Sequence, residues 1–186
     1  NATWDRTKFE VVGHKYADLS DNDSGVALLN DCKYGYMVLD NVLDLNLLRS
    51  PNNPDADADI GSHSFTYSLL PHKGTLINSS VIKESSNLNN APLLLDEVET
   101  NLNNAPVLID SLGLEITSLK KSEKENCLII RVVEVLGKKS SGNIYYSGNL
   151  TEVNLMETKV YKKSIEIKEK LKITLKPFEI KTFKLS

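Results

Sequence analysis

The sequence predicts an all-β chain interrupted by one short helical or irregular crossover. Two-residue alternation carries that reading: Leu43, Leu45 and Leu47 share a face against Asp44 and Asn46, and Leu171, Ile173 and Leu175 alternate with Lys172 and Thr174. Between the apolar runs lie segments rich in Asp, Asn and Gly, whose side chains and backbone freedom suit turns. Helical spacing is weak everywhere, and no apolar run reaches the roughly 18 residues that cross a bilayer.

Taken in order, Trp4, Phe9, Val11 and Val12 read as a strand entering a sheet, with a polar loop from Asp18 to Gly25 after it. Val26 to Leu29 has no alternation and suits a strand covered on both faces. N-D-C-K-Y-G-Y breaks that run, and Asp40-Asn41 is a short turn into the alternating strand Val42 to Leu48. Residues 49–63 hold two prolines and many short polar side chains, which excludes a regular element. Loops of that length in a folded domain commonly carry function. Phe65 to Leu69 is the next strand, with Phe65, Tyr67 and Leu69 on one face, and the chain leaves it through Pro71, His72 and Gly74.

Residues 76–90 show only rough helical spacing and predict a brief helix. N-L-N-N-A-P at 87–92 recurs at 101–106, two copies where a solenoid needs three, so residues 86–112 read as a linker with about one helical turn near Asp96 to Asn101. From Gly113 onward the expected strands are 114–119, 127–136, 143–146, 153–156, 164–167, 171–175 and 178–185, forming a small sandwich closed by a C-terminal hairpin. Gly137 and Gly142 bracket a Lys-Lys-Ser-Ser turn. In the last strand Phe178 and Ile180 are out of phase with Phe183 and Leu185, which predicts a bulge near Lys181 or Thr182. The expected domains are 1–85 and 113–186, each small enough that its core alone is marginal.

A net charge of -3 gives no basic field for phosphates and argues against nucleic-acid partners. Cys32 and Cys127 are no disulfide framework. The sequons at Asn1, Asn78 and Asn149 are expected by chance in an Asn-rich chain and do not establish secretion. N-A-T-W-D-R does not resemble a signal peptide, and Asn1 suggests numbering that opens inside a longer chain.

His14, His63 and His72 lack the H-E-x-x-H pattern. His63 could join Asp55, Asp57 or Asp59 around a metal, though loop histidines without a ligand role are the plainer reading. The three aspartates would face one side of an extended backbone, but no EF-hand follows: Gly61 falls at the seventh position from Asp55 and no glutamate stands at the twelfth. The default is a hydrated loop tied back by Arg49. Asp31 and a loop aspartate could form the carboxylate pair of glycoside hydrolysis, and Trp4, Tyr16, Tyr34 and Tyr36 could stack on sugar rings. Core packing is the plainer role for those aromatics. No G-x-S-x-G, phosphate loop or C-x-x-C pair is present, so the residues alone give no self-sufficient catalytic set.

H-K-Y-A-D-L-S (14–20), G-V-A-L-L-N-D-C-K-Y-G-Y (25–36), L-N-L-L-R-S-P (45–51), P-D-A-D-A-D-I-G-S-H-S-F-T-Y-S-L-L-P-H (54–72) and L-K-P-F-E-I-K-T-F-K-L (175–185) resemble the C-terminal part of retaining α-mannosidases of glycoside hydrolase family 38. The likeness is to the cytosolic/vacuolar and microbial branch, and it is weakest over 73–112. It implies the end of a galactose-mutarotase-like β-supersandwich followed by a small C-terminal β-sandwich. It also implies that the zinc, the aspartate nucleophile and the acid/base carboxylate lie in an N-terminal catalytic domain, whose G-H-x-D pattern is absent here. The expectations are no catalytic residue, no metal ligand and no cofactor in this chain, with Zn2+ in the longer enzyme. The expected partners are that enzyme's catalytic and helical domains, mannose-containing oligosaccharides and a second copy in a homo-oligomer, with no nucleic acid and no membrane. The cytoplasm is the favoured location. Arg49 resembles an arginine that approaches the substrate region, and Asp31, Asp59 and Tyr34 stand in matching loops as further cleft-rim candidates. Locking the loop face together is their plainer role. The alternative is a stand-alone carbohydrate-binding or structural β-sandwich module.

Overall fold

Fourteen strands and one short α-helix make up the regular structure in a computed structural model that describes residues 10–91 and 105–186. The chain divides into two compact units, Asn1–Asp96 and Glu97–Ser186. Of the expected first strand, only β1 (Val11–Val12) lies among the described residues. The helical turn expected at 96–101 falls outside them.

In the first unit, β2 (Tyr16–Ser20), β3 (Ser24–Asn30) and β6 (Tyr67–Lys73) form one antiparallel sheet in the order β2-β3-β6. A second sheet has the order β1-β4-β5, with β4 (Gly35–Leu39) and β5 (Val42–Asn46). The turn at Asp40-Asn41 joins β4 to β5, with Asp40 in the left-handed region at φ +52°. The loop expected from Asp18 to Gly25 shrinks to Asp21–Asp23. Asp21 Oδ1 accepts the N–H groups of Asp23 and Ser24, both at 2.8 Å, so a single Asx turn closes the hairpin and frees Asp18 to Ser20 for pairing. The stretch 49–63 is irregular throughout.

Strand β6 begins two residues later than the alternation indicates and continues through Pro71 to Lys73. Pro71 is tolerated because β6 is an edge strand. Its phase matters more. Leu70 opposes Ala27 and packs toward the helix, whereas Tyr67 and Leu69 are 57% and 64% exposed. A 3-10 turn (Leu76–Asn78) and helix α1 (Val81–Asn89) supply the predicted brief helix. Val81 is fully buried against Ala27 and Leu29, with Leu76 and Leu88 beside them.

The second unit is a two-sheet arrangement. One sheet has the order β13-β10-β7, from β13 (Lys170–Leu175), β10 (Ser140–Tyr145) and β7 (Leu108–Asp110). The other is β12-β11-β14-β9-β8, from β12 (Ile165–Ile167), β11 (Gly148–Val153), β14 (Ile180–Leu185), β9 (Leu128–Glu134) and β8 (Leu114–Lys121). Ile130, Val132, Ile144, Leu175, Phe183 and Leu185 are at the centre of their shared core. Each fully buried side chain of this kind is worth about 1.5–3 kcal/mol against exposure.

Five expectations change here. β7 lies inside the stretch read as linker, because Val107 beside it is buried in this core. The strand expected at 153–156 is β11, ending at Val153; Asn154 Oδ1 then accepts the N–H groups of Thr158 and Lys159 and turns the chain. Ser140, Ser141 and Gly142 belong to β10, not to a turn. The chain does not close on a hairpin: β13 and β14 sit in different sheets, and β14 is inserted between β11 and β9. Nor is β14 bulged. Its register with β9 is unbroken, Phe183 and Leu185 are buried, and Phe178 and Ile180 remain outside. The irregularity occurs instead between Ile116 and Ser118 of β8.

Candidate functional site

The loops that carry the family-like motifs are built around Asn30, a side chain that sequence reading passed over as part of a break. Asn30 is fully buried, and its Oδ1 accepts the N–H groups of Cys32 (3.1 Å) and Lys33 (2.6 Å), shaping the turn out of β3. Its Nδ2 donates to the Tyr36 hydroxyl, and its carbonyl accepts Nδ2 of Asn89 from α1 at 3.0 Å. An Asn three residues before Lys33 at a strand end is the local signal that points to such a turn. Burial pushes the Tyr36 hydroxyl up from its ordinary value, against the opposing hydrogen bond from Asn30. At 1% exposure Tyr36 cannot be the stacking platform that sequence allowed.

Asp31 faces the other way, toward residues just before β6. Both of its carboxylate oxygens accept the Thr66 N–H at 3.0 Å, and its own N–H donates to the Thr66 carbonyl at 3.2 Å. The neighbouring Cys32 thiol and then the Thr66 N–H hold the Asp31 carboxyl below the usual carboxylate value. Asp31 in turn pushes the exposed Cys32 thiol up. Lys33 Nζ sits 4.8 Å from the Phe65 ring centroid. Tyr34 is exposed, tilted against His14 with ring centroids 5.0 Å apart, and its carbonyl accepts the Gly13 N–H.

Arg49 and Asp59 form a second cluster. Asp59 Oδ2 accepts the backbone N–H groups of Arg49 (3.3 Å) and Ser50 (2.9 Å), with Asp59 itself in the left-handed region at φ +64°. The tie expected from Arg49 to the acidic loop therefore runs through its backbone. Its guanidinium, 67% exposed, instead binds the Glu10 carboxylate, whose other oxygen accepts Asn46 Nδ2. Asp55, Asp57 and Asp59 do not line one side of an extended chain: Asp55 Oδ1 accepts the Asp57 N–H, and the segment is turned. His63 Nε2 bonds the Asp59 carbonyl at 2.9 Å, not a carboxylate. Among the described residues no hydrogen bond or ion pair links Asp31 or Tyr34 to Arg49 or Asp59. No group of three or more His, Cys, Asp or Glu among them could hold a metal ion, so zinc does not fit these loops.

Two matches span most of the chain. The "Glycosyl hydrolases family 38 C-terminal domain" profile covers residues 1–57, and the "Glycosyl hydrolases family 38 C-terminal beta sandwich domain" profile covers 113–183. The chain is similar to Alpha-mannosidase G of Dictyostelium discoideum, 42% identical across 99% of this chain and 18% of that protein. It is 36% identical to Alpha-mannosidase 2C1 of Mus musculus across 100% of this chain and 19% of that protein. Against Alpha-mannosidase of Saccharomyces cerevisiae the figures are 33%, 100% and 19%. The fold is similar to a glycosyl hydrolase family 38 protein from Enterococcus faecalis, with TM-score 0.71 and 19% identity over 95% of this chain and 22% of that one. The chain thus spans about a fifth of the length of the curated relatives it matches.

Proposed function

Because the chain belongs to glycoside hydrolase family 38, matching that family's C-terminal segments at both ends, we propose that it is the non-catalytic C-terminal β portion of a longer retaining α-mannosidase. That enzyme removes terminal α-D-mannose from oligosaccharides in the cytoplasm. Its zinc, nucleophile and acid/base carboxylate belong to the N-terminal region, and this chain braces that region and lines the rim of the cleft. The carrying observation is that 42% identity to an α-mannosidase runs through 99% of this chain yet takes in only 18% of the relative.

The exposed apolar face of the first unit supports the bracing role. Tyr67 and Leu69 are left open, and Leu69 joins Leu19, Val26 and Leu43 around a concavity of about 600 Å³. An apolar face of this kind marks a surface that another body covers. The alternative, a stand-alone sugar-binding module, is weakened by the same geometry: Tyr36 is buried, Tyr16 packs toward the helix cluster, and Tyr34 is engaged with His14.

The test compares the longer protein with residues 1–186 alone on an aryl α-mannoside. Mannose release by the longer protein only is the expected result. Release at an enzymatic rate by the 186-residue chain would overturn the reading, and saturable mannoside binding without turnover would favour the module.

A further inference from the structure

The sandwich of the second unit is open along one side, where β12 and β13 are each the edge of their own sheet and are joined by a short turn at 168–169. A groove of about 240 Å³ runs between them. Its floor is apolar, from Ile165 on one side and Leu171 and Ile173 on the other. Lys162, Lys163, Lys172 and Lys181 stand around it, facing one carboxylate, Glu152.

Glu152 is already engaged, by Lys162 Nζ at 2.8 Å and by Lys181 Nζ at 3.9 Å. Among the described residues Lys163 and Lys172 make no ion pair, and both are exposed. The excess of positive charge extends along the chain, since residues 158–186 carry nine lysines against three glutamates in a protein whose net charge is -3. The groove is therefore a cationic surface on a chain of net negative charge.

We propose that this groove binds an acidic, extended polypeptide segment of a partner protein. Alternating carboxylates would meet Lys163 and Lys172, the intervening apolar side chains would rest on Ile165 and Leu171, and the backbone would add to the free edge of β13. Three observations favour this occupant. An edge strand presents unpaired N–H and C=O groups along its open side, the basis of strand addition, and the groove lysine Lys181 reaches the β13 carbonyl of Thr174 only at 3.5 Å, a contact an incoming strand can displace. The volume lies below the roughly 300–1,000 Å³ of a small-molecule cavity but accommodates protruding side chains. The one aromatic ring that lines the groove, Phe183, is only 3% exposed and offers no open face on which a sugar could stack, which argues against an anionic polysaccharide. Lysines on an edge strand also discourage pairing with neutral strands, and the same lysines favour an acidic one.

The experiment measures anisotropy of a fluorescein-labelled octapeptide of alternating Glu and Leu against the full-length protein at about 50 mM and 300 mM salt. Saturable binding that weakens with salt is expected, because exposed charge pairs are screened. The Lys163→Glu/Lys172→Glu variant should weaken binding at least tenfold. The charge-matched Lys121→Glu/Lys124→Glu variant, at the opposite edge of the five-stranded sheet, should leave it within about twofold; thermal melts confirm that both variants fold. Absence of saturable binding, equal losses in the two variants, or equal affinity for octaglutamate overturns the proposal. Tighter, groove-dependent binding of a sulfated oligosaccharide overturns the assignment to a peptide.

Discussion

Asp18 and His72 meet across the width of a sheet, with Asp18 Oδ1 2.7 Å from His72 Nε2 and both side chains buried. They come from β2 and β6, the two strands that flank β3, so the pair fastens the sheet from edge to edge. Ser20 Oγ donates to the other Asp18 oxygen at 2.7 Å. The serine reaches the carboxylate and not the imidazole, so the three residues form no nucleophile relay. Gly25 makes room for them: a Cβ there would lie 2.4 Å from Ser20 Cβ and 2.7 Å from His72 Nε2.

Removing one partner of a buried hydrogen bond leaves the other unsatisfied. Asp18→Ala should therefore destabilise the first unit by about 1–3 kcal/mol. Gly25→Ala should cost roughly 1–3 kcal/mol by overpacking against the pair. Urea denaturation followed through the first unit checks both, and a loss below about 0.5 kcal/mol for Asp18→Ala would show that the pair fastens nothing.

Glu134 makes the corresponding tie in the second unit, and it sets a pH dependence. Its fully buried carboxylate accepts the N–H groups of Leu136 (3.0 Å), Gly137 (2.9 Å) and Phe178 (3.0 Å) and the Ser140 hydroxyl (2.8 Å). Burial alone would raise its pKa, but the donors from Phe178, Ser140, Leu136 and Lys138 outweigh it and hold the group below the ordinary 4.5. A depressed folded-state pKa stabilises fully above the unfolded value, and that contribution is lost as pH falls through the folded value. Stability of the second unit should be flat in this group's contribution above about pH 4.5 and decline below it. Glu134→Ala should remove about 3 kcal/mol at neutral pH, by leaving three N–H groups without an acceptor. A variant whose acid-unfolding profile overlays the parent's below pH 4.5 would exclude the tie.

These two ties show where the sequence was legible and where it was not. Alternation located β5 and β13 because a two-residue period is a local property. β6 leaves Tyr67 and Leu69, its more apolar alternating pair, exposed because α1 covers the opposite face at Leu70, and alternation within one strand does not say which face a later element will cover. The bulge expected in β14 presumed that Phe178 belongs to the core. In the fold it stands 71% exposed, resting on the turn at Gly137, where a Cβ would lie 2.7 Å from its ring. Arg49, Asp31 and Tyr34 stand in motif blocks, yet their partners, Glu10, Thr66 and His14, come from other strands and loops; Asp59 meets Ser50 across nine residues of its own loop. Spacing along a chain does not encode such pairings.

Asp31 also acts on the titration of its neighbour. By accepting a hydrogen bond from Cys32 and adding a nearby negative charge, it holds the thiol up from its ordinary value. Asp31→Asn should bring the thiol back toward that value and raise the thiolate fraction at pH 8. Alkylation of Cys32 by iodoacetamide, followed by peptide mass spectrometry with Cys127 as the internal reference, should become several-fold faster. An unchanged ratio of the two rates would mean that exposure and not Asp31 governs the thiol.

The Arg49–Glu10 pair separates a rim contact from a surface brace. An exposed ion pair contributes about 0–1 kcal/mol, so neither Arg49→Ala nor Glu10→Gln should alter the melting temperature of the full-length enzyme appreciably. If the guanidinium reaches substrate, Arg49→Ala should lower kcat/KM about tenfold, close to 1.4 kcal/mol of transition-state stabilisation. Glu10→Gln keeps the cation but releases it from its partner, so its effect should be smaller and confined to KM if Glu10 only aims the side chain. Equal losses in the two variants would make the pair one positioning unit. Parent-like kcat/KM in Arg49→Ala, with the fold intact, would leave Arg49 as a brace between the loop after β5 and the residue before β1, and would remove it from the cleft.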